Sequence, residues 1–113
     1  MPHCVIEYAK DLEDKVEPML LINAVHNGAV ASGLFDEDHI KTRARAYSSY
    51  KTGTGDNAFI HVTVSILSGR NIDQKKNLSN SILTWLERLS VSAVTMTVQI
   101  CDIETEVYTK MVL

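Results

Sequence analysis

Only two cysteines occur in this chain, Cys4 and Cys101, and only two prolines, Pro2 and Pro18. Both cysteines fall in strand-like runs without metal-ligand spacing, which reads as small buried hydrophobes rather than a disulfide or a ligand set. No His/Cys/Asp/Glu cluster has ligand spacing and no phosphate-loop spacing occurs, so neither a metal nor a nucleotide cofactor is expected. Lysine and arginine together number 11 against 14 acidic residues, a formal charge of −3. Without a basic excess to neutralise phosphates, a nucleic-acid partner is not expected. No apolar run approaches the ~20 residues of a membrane span. The start of the chain also lacks a basic stretch followed by an apolar one, so no membrane association and a cytoplasmic location are expected.

What is present suits an ordinary globular protein: 45% hydrophobic and 22% charged residues over a length of 113. One domain, residues 1–113, is large enough to bury a single core. The chain opens Met1-Pro2-His3-Cys4-Val5-Ile6-Glu7-Tyr8, a β-branched run with no helical period. Proline is tolerated at the first residue of a strand because no ladder hydrogen bond is asked of it there. Its position carries chemistry as well. With Met1 removed, Pro2 becomes a free secondary amine, and an α-amino group with a reference pKa near ~8 needs little desolvation or positive charge to titrate near neutrality. Such an amine is a general base at pH 7 without a histidine. The alternative is that Pro2 only starts a strand.

The charged segment Asp11–Glu17 reads as a connecting turn or short helical turn. Pro18 fits the first turn of a helix that runs to Ser32 and stops at Gly33, with apolar or small residues through most of its length. That composition predicts a largely buried helix, with His26 and Asn27 facing solvent. Ile40–Tyr50 alternates small or apolar residues with Lys41, Arg43 and Arg45, a second strand. Lys51–Asn57 has the Gly, Asn and Asp content of a hairpin loop; it leads into a strand rather than a helix, so it does not cradle phosphate. Ala58–Leu67 alternates clearly: Ala58, Ile60, Val62, Val64 and Ile66 on one face, Phe59, His61, Thr63 and Ser65 on the other.

Asn71 and Gln74 have capping-box spacing ahead of a second helix. Leu78, Ile82, Trp85, Leu86 and Leu89 form its apolar stripe, with Trp85 as core anchor. Ala93–Ile103 is the fourth strand, and the tail from Glu104 to Leu113 fits either an added edge strand or packing on a neighbour. The order β-α-β, hairpin, β-α-β duplicates one unit. The fold class is α+β, a four-stranded sheet with both helices on one face, because right-handed crossovers put them there. The other face would carry His3 or Cys4, Lys41, Arg43, Arg45, His61 and Thr97, too mixed for plain solvent surface, so association through it is expected.

Met1-Pro2-His3 ahead of a strand, Ile40-Lys41-Thr42-Arg43, Ala58-Phe59-Ile60-His61-Val62-Thr63 and Ser68-Gly69-Arg70 resemble the 5-carboxymethyl-2-hydroxymuconate delta-isomerases of the tautomerase superfamily. Gly69–Lys76 is similar to the strand-to-helix junction of 4-oxalocrotonate tautomerase subunits, with one extra residue. The resemblance spans almost the whole chain; Lys41 stands where a homologue carries Arg. It implies the duplicated tautomerase (ferredoxin-like) fold, a homotrimer with sheets facing inward, and Pro2 as catalytic base. It also implies isomerisation of an unsaturated 2-hydroxymuconate-type carboxylate in aromatic-compound catabolism, without a cofactor.

A small-molecule carboxylate substrate needs cations, and the planar fork of Arg grips a carboxylate where Lys offers a point charge. Lys41, Arg43 and Arg45 share a strand face and fit either that role or a solvated row protecting an edge. Arg43 and Lys41, with Arg70 at the position of a substrate-binding arginine in the smaller tautomerases, are the candidate substrate-binding residues. His3 and His61 fit either substrate orientation or an interface. Another proline-based activity of the superfamily, such as decarboxylation or dehalogenation, and a non-catalytic anion-binding oligomeric module are the competing readings.

Overall fold

The structure is a computed structural model that describes residues 1–113. Its elements run β1 (His3–Ala9), α1 (Pro18–Ala31), β2 (Lys41–Tyr47), β3 (Ala58–Leu67), α2 (Ile72–Glu87) and β4 (Val94–Ile103). Short 3-10 turns cover Lys10–Asp14, Glu37–His39 and Thr105–Val107. The four strands form one sheet in the order β2-β1-β3-β4. Each βαβ unit contributes a parallel pair, β1 with β2 and β3 with β4, and the two units join through the antiparallel pair β1 and β3.

This order corrects one expectation. Residues 51–57 do not close a hairpin, because β2 and β3 are separated by β1. Glycine and asparagine there reverse the chain, with Gly53 at φ 62°, but the strand that follows passes over its predecessor to pair with β1. A turn-rich loop specifies a reversal and not the partner that receives the next strand.

Alternation in β1 and β3 separates the faces as period two requires. Cys4, Ile6 and Tyr8 of β1 and Ile60, Val62, Val64 and Ile66 of β3 are buried. They meet Leu21, Val25 and Ala29 of α1 and Leu78, Ile82 and Leu86 of α2 in one core cluster. The helices also pack on one another. Their contact explains Gly28: a Cβ there would lie 2.6 Å from the Ile82 Cα. Ser81 crosses the same seam and donates to the Gly28 carbonyl at 2.7 Å.

The ends of both helices follow their sequence signals. Gly33, at φ 75°, terminates α1. Asn71 accepts from the Gln74 N–H at 2.8 Å while its own N–H donates to the Gln74 side chain at 2.9 Å, a complete capping box. Three expectations change. The helix α1 is buried on one face only, with Met19 and Leu20 exposed, because a helix packed on one sheet and one helix still turns a side to solvent. Trp85 is only half-buried and packs at the margin of the core, with the Arg88 guanidinium 4.1 Å from its ring centroid. His26 is also not simply solvated: its Nε2 lies 2.7 Å from a Glu37 carboxylate oxygen. No helix is long and apolar enough to cross a membrane.

Candidate active site

Topology alone brings distant cations to the start of the chain. Since β1 and β3 are antiparallel, with His3 opposite Ser65, the end of β3 and the Arg70 that follows it lie beside Pro2. Since β1 and β2 are parallel, with His3 opposite Lys41, the first residue of β2 lies there too. The Lys41 N–H donates to the Pro2 carbonyl at 3.0 Å. Pro2 itself is fully buried.

A cavity of about 410 Å³ opens at this corner, lined by Met1, the α1–β2 loop (Leu34, Phe35, Asp36 and His39), Leu67 and Arg70, with Tyr108 and Lys110 from the tail. The Arg70 guanidinium donates to the Leu34 carbonyl at 2.7 Å and lies 5.3 Å from the Phe35 ring centroid. One N–H edge and one face of the fork are thereby fixed, which orients the rest. Lys41 is not part of the wall, but its ammonium donates to the His39 carbonyl at 3.3 Å, and the Met1 ammonium donates to the same oxygen at 3.0 Å. Desolvation, and then the nearby charges of Lys41 and Lys110, lower the terminal amine below its usual pKa of 8.0. Four cations against the single carboxylate of Asp36 make a corner suited to an anion with an apolar body.

Pro2, Lys41 and Arg70 thus converge. Arg43 is oriented differently: it does not line the cavity, and its Nη1 lies 3.3 Å from His3 Nδ1. His3 in turn reaches the Tyr108 hydroxyl with Nε2 at 3.0 Å. Its pKa is lowered by desolvation and then by Arg43, Lys41 and the chain terminus. Cys4 points to the helix side of the sheet, where burial pushes its thiol up to about 11; it is no thiolate nucleophile at neutral pH. His61 sits on the open face between Thr97 and Gln99, each at 2.6 Å. Tyr108 escaped the sequence reading: the tail has no periodicity, and only the long-range pairing of His3 with residue 108 reveals it.

With Met1 in place the Pro2 nitrogen is a tertiary amide. Met1 forms part of the cavity wall and Pro2 does not, so removing Met1 would enlarge the space and leave a secondary amine on the residue next to that wall. A model of the 5-carboxymethyl-2-hydroxymuconate isomerase family matches residues 2–111, beginning at that proline. The chain belongs to this family. It is an isomerase, and the match covers all six elements.

Solved structures agree in fold. A 5-carboxymethyl-2-hydroxymuconate delta-isomerase superposes with a TM-score of 0.84 at 19% identity, covering 99% of this chain and 88% of that one. The 5-carboxymethyl-2-hydroxymuconate isomerase from Deinococcus radiodurans R1 gives 0.81 at 22% identity, covering 97% and 88%. A fused 4-OT wild-type symmetric trimer gives 0.70 at 15% identity, covering 90% and 85%. No curated protein matches the sequence.

Proposed function

We propose that this family member, acting as one domain of residues 1–113, isomerises an unsaturated 2-hydroxymuconate-type dicarboxylate in aromatic-compound catabolism, with Pro2 as general base. The observation that supports the reading is that Met1, the residue before Pro2, lines the cavity together with Arg70 and Lys110, while the Pro2 carbonyl accepts from the Lys41 N–H. The active form lacks Met1. Its secondary amine takes the proton of the 2-hydroxyl and returns it to carbon, turning a dienol into an enone with no net change of atoms. Desolvation and the positive field of Lys41 and Lys110 favour the unprotonated amine, as they depress the terminal amine in the Met1 form.

Arg70 grips one carboxylate with its free N–H edge, and Lys41 supplies a point charge near the amine. Arg43 adds positive field and acts on the cavity through His3. The chemistry needs no cofactor, because one amine both accepts and returns the proton.

We also propose a homotrimer with the open sheet faces turned inward, in the cytoplasm. The open face mixes Val5, Phe59, His61 and Thr97 with Arg43 and Arg45, too apolar for a solvated row alone. Light scattering should give the mass of three chains; a monomer at all concentrations overturns the assembly. Protein whose N-terminus is verified as Pro2 should convert 2-hydroxymuconate-type dienols to enones, read as loss of dienol absorbance. Absence of turnover with such protein overturns the catalytic reading.

A further inference from the structure

A three-residue chain of hydrogen bonds runs from the sheet into the cavity: Arg43, His3, Tyr108. A guanidinium only donates, so His3 Nδ1, 3.3 Å from Arg43 Nη1, accepts. In a neutral imidazole the other nitrogen then carries the proton, so Nε2–H donates to the Tyr108 oxygen 3.0 Å away. The His3 and Tyr108 rings also meet edge-on, 6.1 Å between centroids and 64° between planes. The phenol oxygen therefore accepts from His3, and its own proton has no protein acceptor while the residue lines the cavity.

We propose that Tyr108 donates this proton in a hydrogen bond to the 2-oxygen of a bound 2-oxo or 2-hydroxy carboxylate, and that Arg43 and His3 are the positioning residues that keep it free. The inference rests on the cavity being the substrate site. It assigns Tyr108 to recognition of the oxygen from which a dienol proton leaves, where negative charge develops during the transfer. The direction of the chain is what matters. If Nδ1 carried the proton instead, Nε2 would accept from Tyr108 and the phenol would have nothing to offer a ligand.

The groups around His3 favour the first arrangement. On β2 these are Arg43 and Lys41, at the chain start the terminal ammonium, and from the tail Tyr108; β3 presents only the neutral Ser65. Desolvation and the positive charges of Arg43 and Lys41, which remain when Met1 is removed, disfavour a second proton on the ring. Without Arg43, nothing else in this set would hold Nδ1 as an acceptor, and the two neutral tautomers would compete. Protonation would then restore the donor direction, because an imidazolium can only donate.

The test measures binding by calorimetry on Met1-free protein, with 2-oxoadipate and adipate as probes. Wild type should favour the 2-oxo acid by about three- to tenfold, the worth of one neutral hydrogen bond. Tyr108→Phe should bind the two acids alike. Arg43→Leu should weaken the preference at pH 8 and regain it as the pH is lowered far enough for His3 to take up a second proton. A structural tether would instead lower both affinities equally, without pH-dependent recovery, and that result overturns the proposal. Equal binding of the two acids by wild type overturns the Tyr108 assignment alone. Binding of neither acid overturns the carboxylate site as well.

Discussion

The backbone N–H of Lys41 donates to the Pro2 carbonyl at 3.0 Å, which ties the first buried residue of the chain to the edge strand of the sheet. This bond continues the parallel register of β1 and β2, and it brings the Lys41 ammonium to the same carbonyl, that of His39, that holds the chain terminus.

From this follows a pH prediction. The terminal amine is held below its ordinary pKa first by desolvation and next by Lys41. In Pro2-exposed protein the ascending limb of kcat/KM should therefore lie below pH ~8. Lys41→Gln removes a positive neighbour, raises the amine pKa and should move that limb to higher pH. An unmoved or lowered limb in Lys41→Gln would contradict a Lys41 field on Pro2.

Arg70 is fixed by the Leu34 carbonyl and the Phe35 ring, so its remaining N–H groups are preoriented. Arg70→Ala should raise KM with kcat little changed, by about 1.5–3 kcal/mol or roughly ten- to a hundredfold. Arg70→Lys should recover only part of this, because an ammonium lacks the fork. Steady-state kinetics on both variants, with melting curves to exclude loss of fold, check it. A wild-type KM in Arg70→Ala would remove Arg70 from the site.

Gly28 sits where the two helices approach closely. Alanine normally stabilises a helix interior by up to ~1 kcal/mol over glycine. Here its Cβ would lie 2.6 Å from backbone, at the Ile82 Cα, so the helices must part. Gly28→Ala should destabilise by about 1–3 kcal/mol in urea denaturation. A stabilised variant would contradict the close packing of α1 on α2.

Elements with a strong period are legible in the sequence itself. The alternation in β3, the stripe on α2 and the Asn71–Gln74 cap depend on neighbours a few residues apart, and local physics decides them. The duplicated βαβ order followed from those elements. Legibility ended where the partner lies far along the chain. The loop 51–57 could not announce that β3 would pair with β1 rather than with β2. The strand face that carries Arg43 is visible in sequence, whereas its contact with His3 requires the β1–β2 register. Tyr108 stood in an aperiodic tail, and His26 gave no sign of the Glu37 it meets across the loop.

The central claim is that the nitrogen of Pro2 is the base. Its most direct test compares two preparations of the same chain, one retaining Met1 and one beginning at Pro2, on a 2-hydroxymuconate-type dienol. The amide of the first has no basic lone pair, so its kcat/KM should fall by about 10²–10⁴-fold relative to the second. Equal rates would contradict the account and leave Pro2 as the start of a strand.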